Sequence, residues 1–158
     1  LSMSQTRSLI LLFSLASLFG CGYTFVLKGG GNLGQVSILP SINQTSLRGA
    51  NMVLDSNLEN ELAAMGLFSH RDNLPRLRCT IVSSSSQEIT SNRLAANRFR
   101  LTLTVKAEIV DLSGKVIWQA HFTDEGAYAS GGQEENALEE ACQKIAGRIA
   151  QAIGSIKT

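Results

Sequence analysis

Between Arg98 and Ile109 the chain alternates without a break. Phe99, Leu101, Leu103, Val105, Ala107 and Ile109 interleave with Arg100, Thr102, Thr104, Lys106 and Glu108. A period of two is the signature of a strand that buries one face and leaves the other polar. Such a strand needs partner strands beside it and an apolar layer on one side only. The turn signal Asp111-Leu112-Ser113-Gly114 follows at once. Beyond it, in Val116 to Tyr128, Trp118, Ala120 and Phe122 share a face, which predicts a β-hairpin.

The remaining segments supply the layer. Gln35 to Pro40 reads as a short first strand closed by the proline, and Ser41 to Ala50 as a loop. A helix is expected from Asn51 to Met65, with Leu54, Leu58, Leu62 and Met65 on one face and Asp55, Asn57 and Glu59 directed away. Gly66 is its natural stop. Leu67 to Pro75 is a turn, after which Leu77, Cys79 and Ile81 form the inward side of a second strand. Ser83 to Ser86 either continues that strand or ends it. Gly131-Gly132 breaks the sheet, and a last helix runs from Gln133 to Ile156 with a stripe of Leu138, Ala141, Cys142, Ile145, Ile149, Ala152 and Ile153. Glu134, Glu135, Glu139 and Glu140 lie at its start and Lys144 and Arg148 later, as the helix dipole favours. The order β-α-β-β-β-α defines an α+β fold, two helices packed on one face of a four-stranded, mostly antiparallel sheet.

The first residues are not part of that fold. Arg7 precedes the apolar run Leu9 to Phe19, which is of signal-peptide length and too short to span a bilayer as a mature helix. It ends in Leu18-Phe19-Gly20-Cys21, which resembles the bacterial lipobox, although Phe19 stands where a small residue is commoner. In that reading the Cys21 thiol takes a diacylglycerol and the peptide is cut after Gly20. Acyl chains contribute about 0.8 kcal/mol per buried methylene, so two or three of them hold a protein on a membrane. The expected organisation is a signal over 1–20, a lipidated Cys21 with a Gly-rich tether over 21–34, and one domain over 35–158. Met3 is a candidate start. Gly22 rather than Asp after the cysteine fits delivery to the outer membrane.

Composition narrows the function. A net charge of +1 argues against a nucleic-acid binder. Cys79 and Cys142 remain after lipidation of Cys21. As a pair they would close a loop worth roughly 4 kcal/mol; as free thiols they are small buried hydrophobes. Neither has a nearby His in sequence to act as the base that would make it a nucleophile. The glycines of Gly29 to Gly34 match a dinucleotide fingerprint in letters but lack the preceding strand and following helix. His70 and His121 are the only histidines and belong to no metal-spacing motif. No cofactor is called for, and the chain reads as non-enzymatic.

Several of these segments together resemble the LptE family: Cys21-Gly22-Tyr23 with Phe25, Val36-Ser37-Ile38-Leu39-Pro40, Asn43-Gln44-Thr45, Arg100 to Val105, and Gly114-Lys115-Val116-Ile117-Trp118. The resemblance implies an outer-membrane lipoprotein on the periplasmic side. Its partners would be an LptD-type β-barrel, which it plugs and helps assemble, and lipopolysaccharide, whose insertion into the outer leaflet it assists. It also implies basic lipopolysaccharide contacts. Arg93, Arg98, Arg100 and Lys106 are the candidates, since an Arg fork fits a phosphate; any half-exposed strand could also look like this. The alternative is a lipoprotein regulator of another envelope machine, such as a peptidoglycan synthase. The tether from Gly22 to Gly34 reaches at most about 45 Å, which keeps the domain near its own membrane and disfavours that alternative.

If Cys21 is the anchor, Cys21→Ala leaves the protein unprocessed or free in the periplasm. Labelling cells with a radioactive fatty acid checks this, and mature protein without label at Cys21 would refute it.

Overall fold

A computed structural model describes residues 33–89, 98–129 and 133–156. The signal segment, Cys21, most of the tether, Arg93 and Gly131-Gly132 lie outside the described residues. The elements are β1 (Ser37–Ile38), β2 (Ile42–Asn43), α1 (Ala50–Ala64), β3 (Arg76–Glu88), β4 (Arg98–Val110), β5 (Val116–Ala129) and α2 (Glu134–Gly154).

The alternating segment is the middle of the sheet. β4 pairs antiparallel with β3 on one side and β5 on the other. Leu101, Leu103, Val105, Ala107 and Ile109 are all buried. Leu77, Cys79 and Ile81 continue that row on β3, and Trp118, Ala120 and Phe122 continue it on β5. Leu54, Leu58 and Leu62 of α1 and Leu138, Ala141, Cys142, Ile145, Ile149 and Ile153 of α2 close the same core. Both helices therefore lie on one face, as expected.

The edge next to β3 holds a surprise. β1 and β2 both pair with β3 in parallel, so the sheet is mixed and has one short strand more than expected. Ser37 and Ile38 face Arg76 and Leu77, whereas Ile42 and Asn43 face Thr80 and Ile81. One extra residue thus bulges out around Pro40, which has no N–H to offer the ladder. The displaced Ser41 amide donates instead to the Asp55 carboxylate of α1 at 3.1 and 3.2 Å. Asp55 is thus a support for the strand edge rather than a purely solvated face.

Two details of α1 also differ from expectation. Met65 is exposed, because the helix ends at Ala64 and Met65 leaves the helical phase. Gly66, at φ 70°, allows the reversal, and the Leu67 N–H caps the Leu62 carbonyl at 2.8 Å. Asn57 is buried rather than directed away. Its amide donates to the Val53 carbonyl and to Glu139 Oε1, each at 2.9 Å. The helices pack against each other as well as on the sheet, so α1 buries a wider face than a sheet alone would demand.

Cys79 and Cys142 are buried free thiols. Burial pushes both above the ordinary thiol value, Cys142 to about 12, with Asp55 and Glu108 adding to the effect at Cys79 and Glu139 at Cys142. They are packing groups and not nucleophiles.

At Gly126 on β5 the main chain of α2 lies directly against the strand. A β-carbon there would overlap the main chain of Ala137. Gly126→Val should therefore force α2 off the strand and cost about 1–3 kcal/mol or more. Leu103→Ala should cost roughly 2–5 kcal/mol by opening a cavity. Urea denaturation checks both; wild-type midpoints would contradict the packing described.

Candidate functional site

The helix-free face of the three long strands gathers the polar half of every alternation. Across the sheet its rows read Arg78–Glu108–Gln119, Thr80–Lys106–His121, Ser83–Thr104–Thr123, Ser85–Thr102–Glu125 and Gln87–Arg100–Ala127. The irregularity between Ile81 and Ser83 is what keeps the serine tract in phase, because Val82 is the extra residue. Past it, Ser83 and Ser85 join the polar face, while Ser84, Ser86 and Glu88 fall on the helix side.

The centre of the face is hydroxylic. Thr104 and Thr123 share a hydrogen bond of 2.9 Å. They are a directly opposed cross-strand pair, in which side chains can meet. Charge clusters flank this centre. At one end Glu108 is almost completely buried, with 6% exposure, and is held from both sides. Arg78 donates to its Oε2 from Nε at 3.1 Å and from the terminal nitrogen at 3.0 Å, and Lys106 Nζ lies 2.8 Å from Oε1. Burial alone would raise the Glu108 pKa, but the hydrogen bonds and charges of Lys106 and Arg78 outweigh it and hold the carboxyl below its usual value. At the other end Arg100 Nε meets Glu125 Oε2 at 3.1 Å.

This geometry sorts the basic candidates. Lys106 and Arg100 lie on the face as expected, but each is already neutralised. Arg98 is exposed at the end of β4, opposite Ala129, and makes no ion pair among the described residues. Arg93 lies outside them. Sequence reasoning missed Arg78; its place in the β3 alternation puts it on this face, but only the register shows that it meets Glu108.

Beyond the core, the helix side of the same strands carries a small aromatic cluster. Phe99 stacks on Tyr128 with centroids 5.3 Å apart, and the Tyr128 hydroxyl meets Ser86 Oγ at 2.8 Å. His70 and His121 are both exposed. His70 meets the Phe68 ring edge-on, in a cleft that also holds Asp72 and Arg76. His121 lies opposite Lys106. Among the described residues no group of three or more His, Cys, Asp and Glu could hold a metal ion, and no helix is long and apolar enough to cross a membrane.

The same fold recurs in solved structures, one of them a lipoprotein. A minor lipoprotein from Acinetobacter baumannii aligns over 78% of this chain and 94% of its own, with a TM-score of 0.56 and 19% identity. The PelC dodecamer from Paraburkholderia phytofirmans aligns over 83% of this chain and 91% of its own, with a TM-score of 0.54 and 16% identity. Identities this low show the fold alone. Comparison with curated proteins finds no match. The family model for LptE, lipopolysaccharide assembly, matches residues 33–153. The chain belongs to the LptE family of lipopolysaccharide-assembly lipoproteins.

The Glu108 cluster carries a pH signature. A carboxyl whose pKa is lowered on folding adds stability that is present above its ordinary pKa and lost as pH falls through the folded value. Wild type should therefore exceed Glu108→Gln in stability near neutral pH. The gap should narrow as pH falls below the usual carboxylate range. Denaturant titrations at several pH values check this, and a gap independent of pH would contradict the pairing.

Proposed function

We propose that this chain is an outer-membrane lipoprotein, anchored on the periplasmic side through lipid on Cys21, whose domain seats inside an LptD-type β-barrel. There it helps the barrel assemble and assists insertion of lipopolysaccharide into the outer leaflet. The observation that carries the reading, given the family, is the bare sheet face. It is a surface of hydroxyls and satisfied ion pairs, and a wide barrel encloses a polar, hydrated lumen. Residues such as Thr102, Thr104 and Thr123 can exchange water for lumen groups without leaving a charge stranded. An apolar face could not.

Lipopolysaccharide contact falls first to Arg98. It is exposed and uncommitted among the described residues, and a guanidinium meets a phosphate through two parallel hydrogen bonds. Arg100 and Lys106 would have to exchange Glu125 and Glu108 for a lipid phosphate, and Arg93 completes the candidate set. The role requires no bond-making chemistry and no cofactor, in keeping with thiols raised out of the reactive range by burial.

The test has two arms. Full-length tagged protein from detergent-solubilised outer membrane should bring down a large β-barrel in stoichiometric amount, and depletion should sensitise cells to large hydrophobic antibiotics. Recovery of peptidoglycan synthases in place of a barrel would defeat the reading. In the second arm, Arg98→Ser with Arg100→Ser should fold normally, because exposed pairs such as Arg100–Glu125 contribute about 0–1 kcal/mol. The double variant should bind lipopolysaccharide more weakly, with a flatter salt dependence. Equal binding across a salt titration would reduce the basic row to a solvated face.

A further inference from the structure

The chain enters the domain at one end of the sheet, and register shows what else gathers there. β1 runs parallel to β3 with Ser37 beside Arg76, so Leu33 lies ahead of the first residue of β3. β3 runs antiparallel to β4, which sets Arg76 opposite Val110, next to the β4–β5 turn. Val36 bridges to Phe68, and its N–H meets the Leu67 carbonyl at 2.8 Å, which brings the end of α1 to the same place. The entering chain, Met65, the turn before β3 and the β4–β5 turn therefore share one end of the domain. The opposite end, at Glu88 and Arg98, is about 40 Å away by the length of β4.

Leu112 is the tip of the β4–β5 turn and is 64% exposed. The turn that holds it out is tightly built. Asp111 Oδ1 accepts from the Ser113 and Lys115 N–H groups, each at 2.9 Å, and Gly114 takes a φ of 86°. Met65 is exposed as well, so two large apolar side chains meet solvent at this end. Arg71, Arg76 and Lys115 stand at the same end, all exposed and without an ion pair among the described residues. The Asp111 carboxylate is occupied inside its turn. Glu59 and Asp72 line one cleft with His70 and Arg76, and no ion pair joins them.

We infer that this end rests on the headgroup layer of the bilayer that holds the Cys21 lipid. Leu112 and Met65 supply apolar contact, and Arg71, Arg76 and Lys115 meet lipid phosphates, the combination by which proteins lie on a membrane surface. Three features name a bilayer as the occupant. The tether reaches at most about 45 Å and joins the domain at this end, so the anchor holds this end nearest its leaflet. The cations are uncommitted, and a second copy meeting end to end would set them against their own kind. Glu59 and Asp72, open beside Arg76, suit a headgroup that carries an ammonium as well as a phosphate, such as phosphatidylethanolamine. Strands standing upright on the leaflet turn the bare face sideways, the orientation in which it can enter a barrel lumen. This inference rests on the lipid anchor proposed above and adds how the domain stands on its membrane.

The experiment places the full-length mature lipoprotein in bicelles of phosphatidylethanolamine and phosphatidylglycerol that contain a gadolinium-headgroup lipid. Amide NMR signals then fade according to their distance from the headgroups. The amides of Asn73, Leu112, Ser113 and Lys115 should lose their signal, while those of Gln87 and Thr102 keep theirs. Leu112→Asp, and separately Arg76→Ser with Lys115→Ser, should abolish the difference between the two ends. All three positions are exposed, and the same spectra report whether each variant is folded. Equal fading at both ends in a protein that carries its lipid would overturn the inference and leave the anchor intact. Selective fading that survives both variants would show an end merely held near the bilayer by its tether, and would overturn the contact. A protein that carries no lipid and does not enter the bicelles would overturn both readings. Shifts at these amides that grow with protein concentration in detergent alone would give the end to a second copy and overturn the occupant named here.

Discussion

Everything in this domain hangs on β4 being buried on one side only. Leu101, Leu103, Val105, Ala107 and Ile109 carry essentially no exposed surface, and burying a Leu, Val or Ile side chain contributes about 1.5–3 kcal/mol. Because β4 lies between β3 and β5, its register sets theirs. A one-residue slip would turn the whole apolar row outward, so the alternation protects the architecture as well as defining it. The helices follow from the same constraint, since only an apolar layer on that face can keep the row dry.

The bare face is the other half of this arrangement. Each inward Leu or Val on β4 obliges an outward Thr, Arg, Lys or Glu, and the neighbouring strands bring further Thr, Ser and Gln alongside. Most of the charge is then settled locally. Glu108 sits between Arg78 and Lys106, and Arg100 leans on Glu125. The result is a face that is strongly polar yet largely neutralised, suited to contact with a hydrated polar surface.

The helix α2 serves the core and the sheet edge at once. Its apolar stripe closes the core through Ala141, Ile145 and Ile149. Its polar flank turns around the rim of β5 through Glu140, Lys144 and Arg148. Close approach at Gly126 is what lets one helix reach both places. Past Arg148 the same flank shortens to Ala152, which packs against the core instead.

By itself the sequence determined the fold class, both helices, the three long strands and which of their residues face inward, because those features are written in local periodicity. Gly66 as a helix stop and the β4–β5 turn were equally legible, being matters of backbone preference at single positions. The family resemblance, carried by short motifs in order, agreed with the family match. Tertiary structure alone decided the rest. The short parallel strand β2, inside what read as a loop, exists only because β3 offers it an edge and Asp55 holds the bulged Ser41 amide. Asn57 is buried because a second helix lies beside it, which no single-helix pattern encodes. Among the basic candidates, Arg100 and Lys106 differ from Arg98 only through partners brought opposite by strand register. Periodicity tells which way a side chain points; which group it meets there depends on residues distant in the chain, and only packing brings them together.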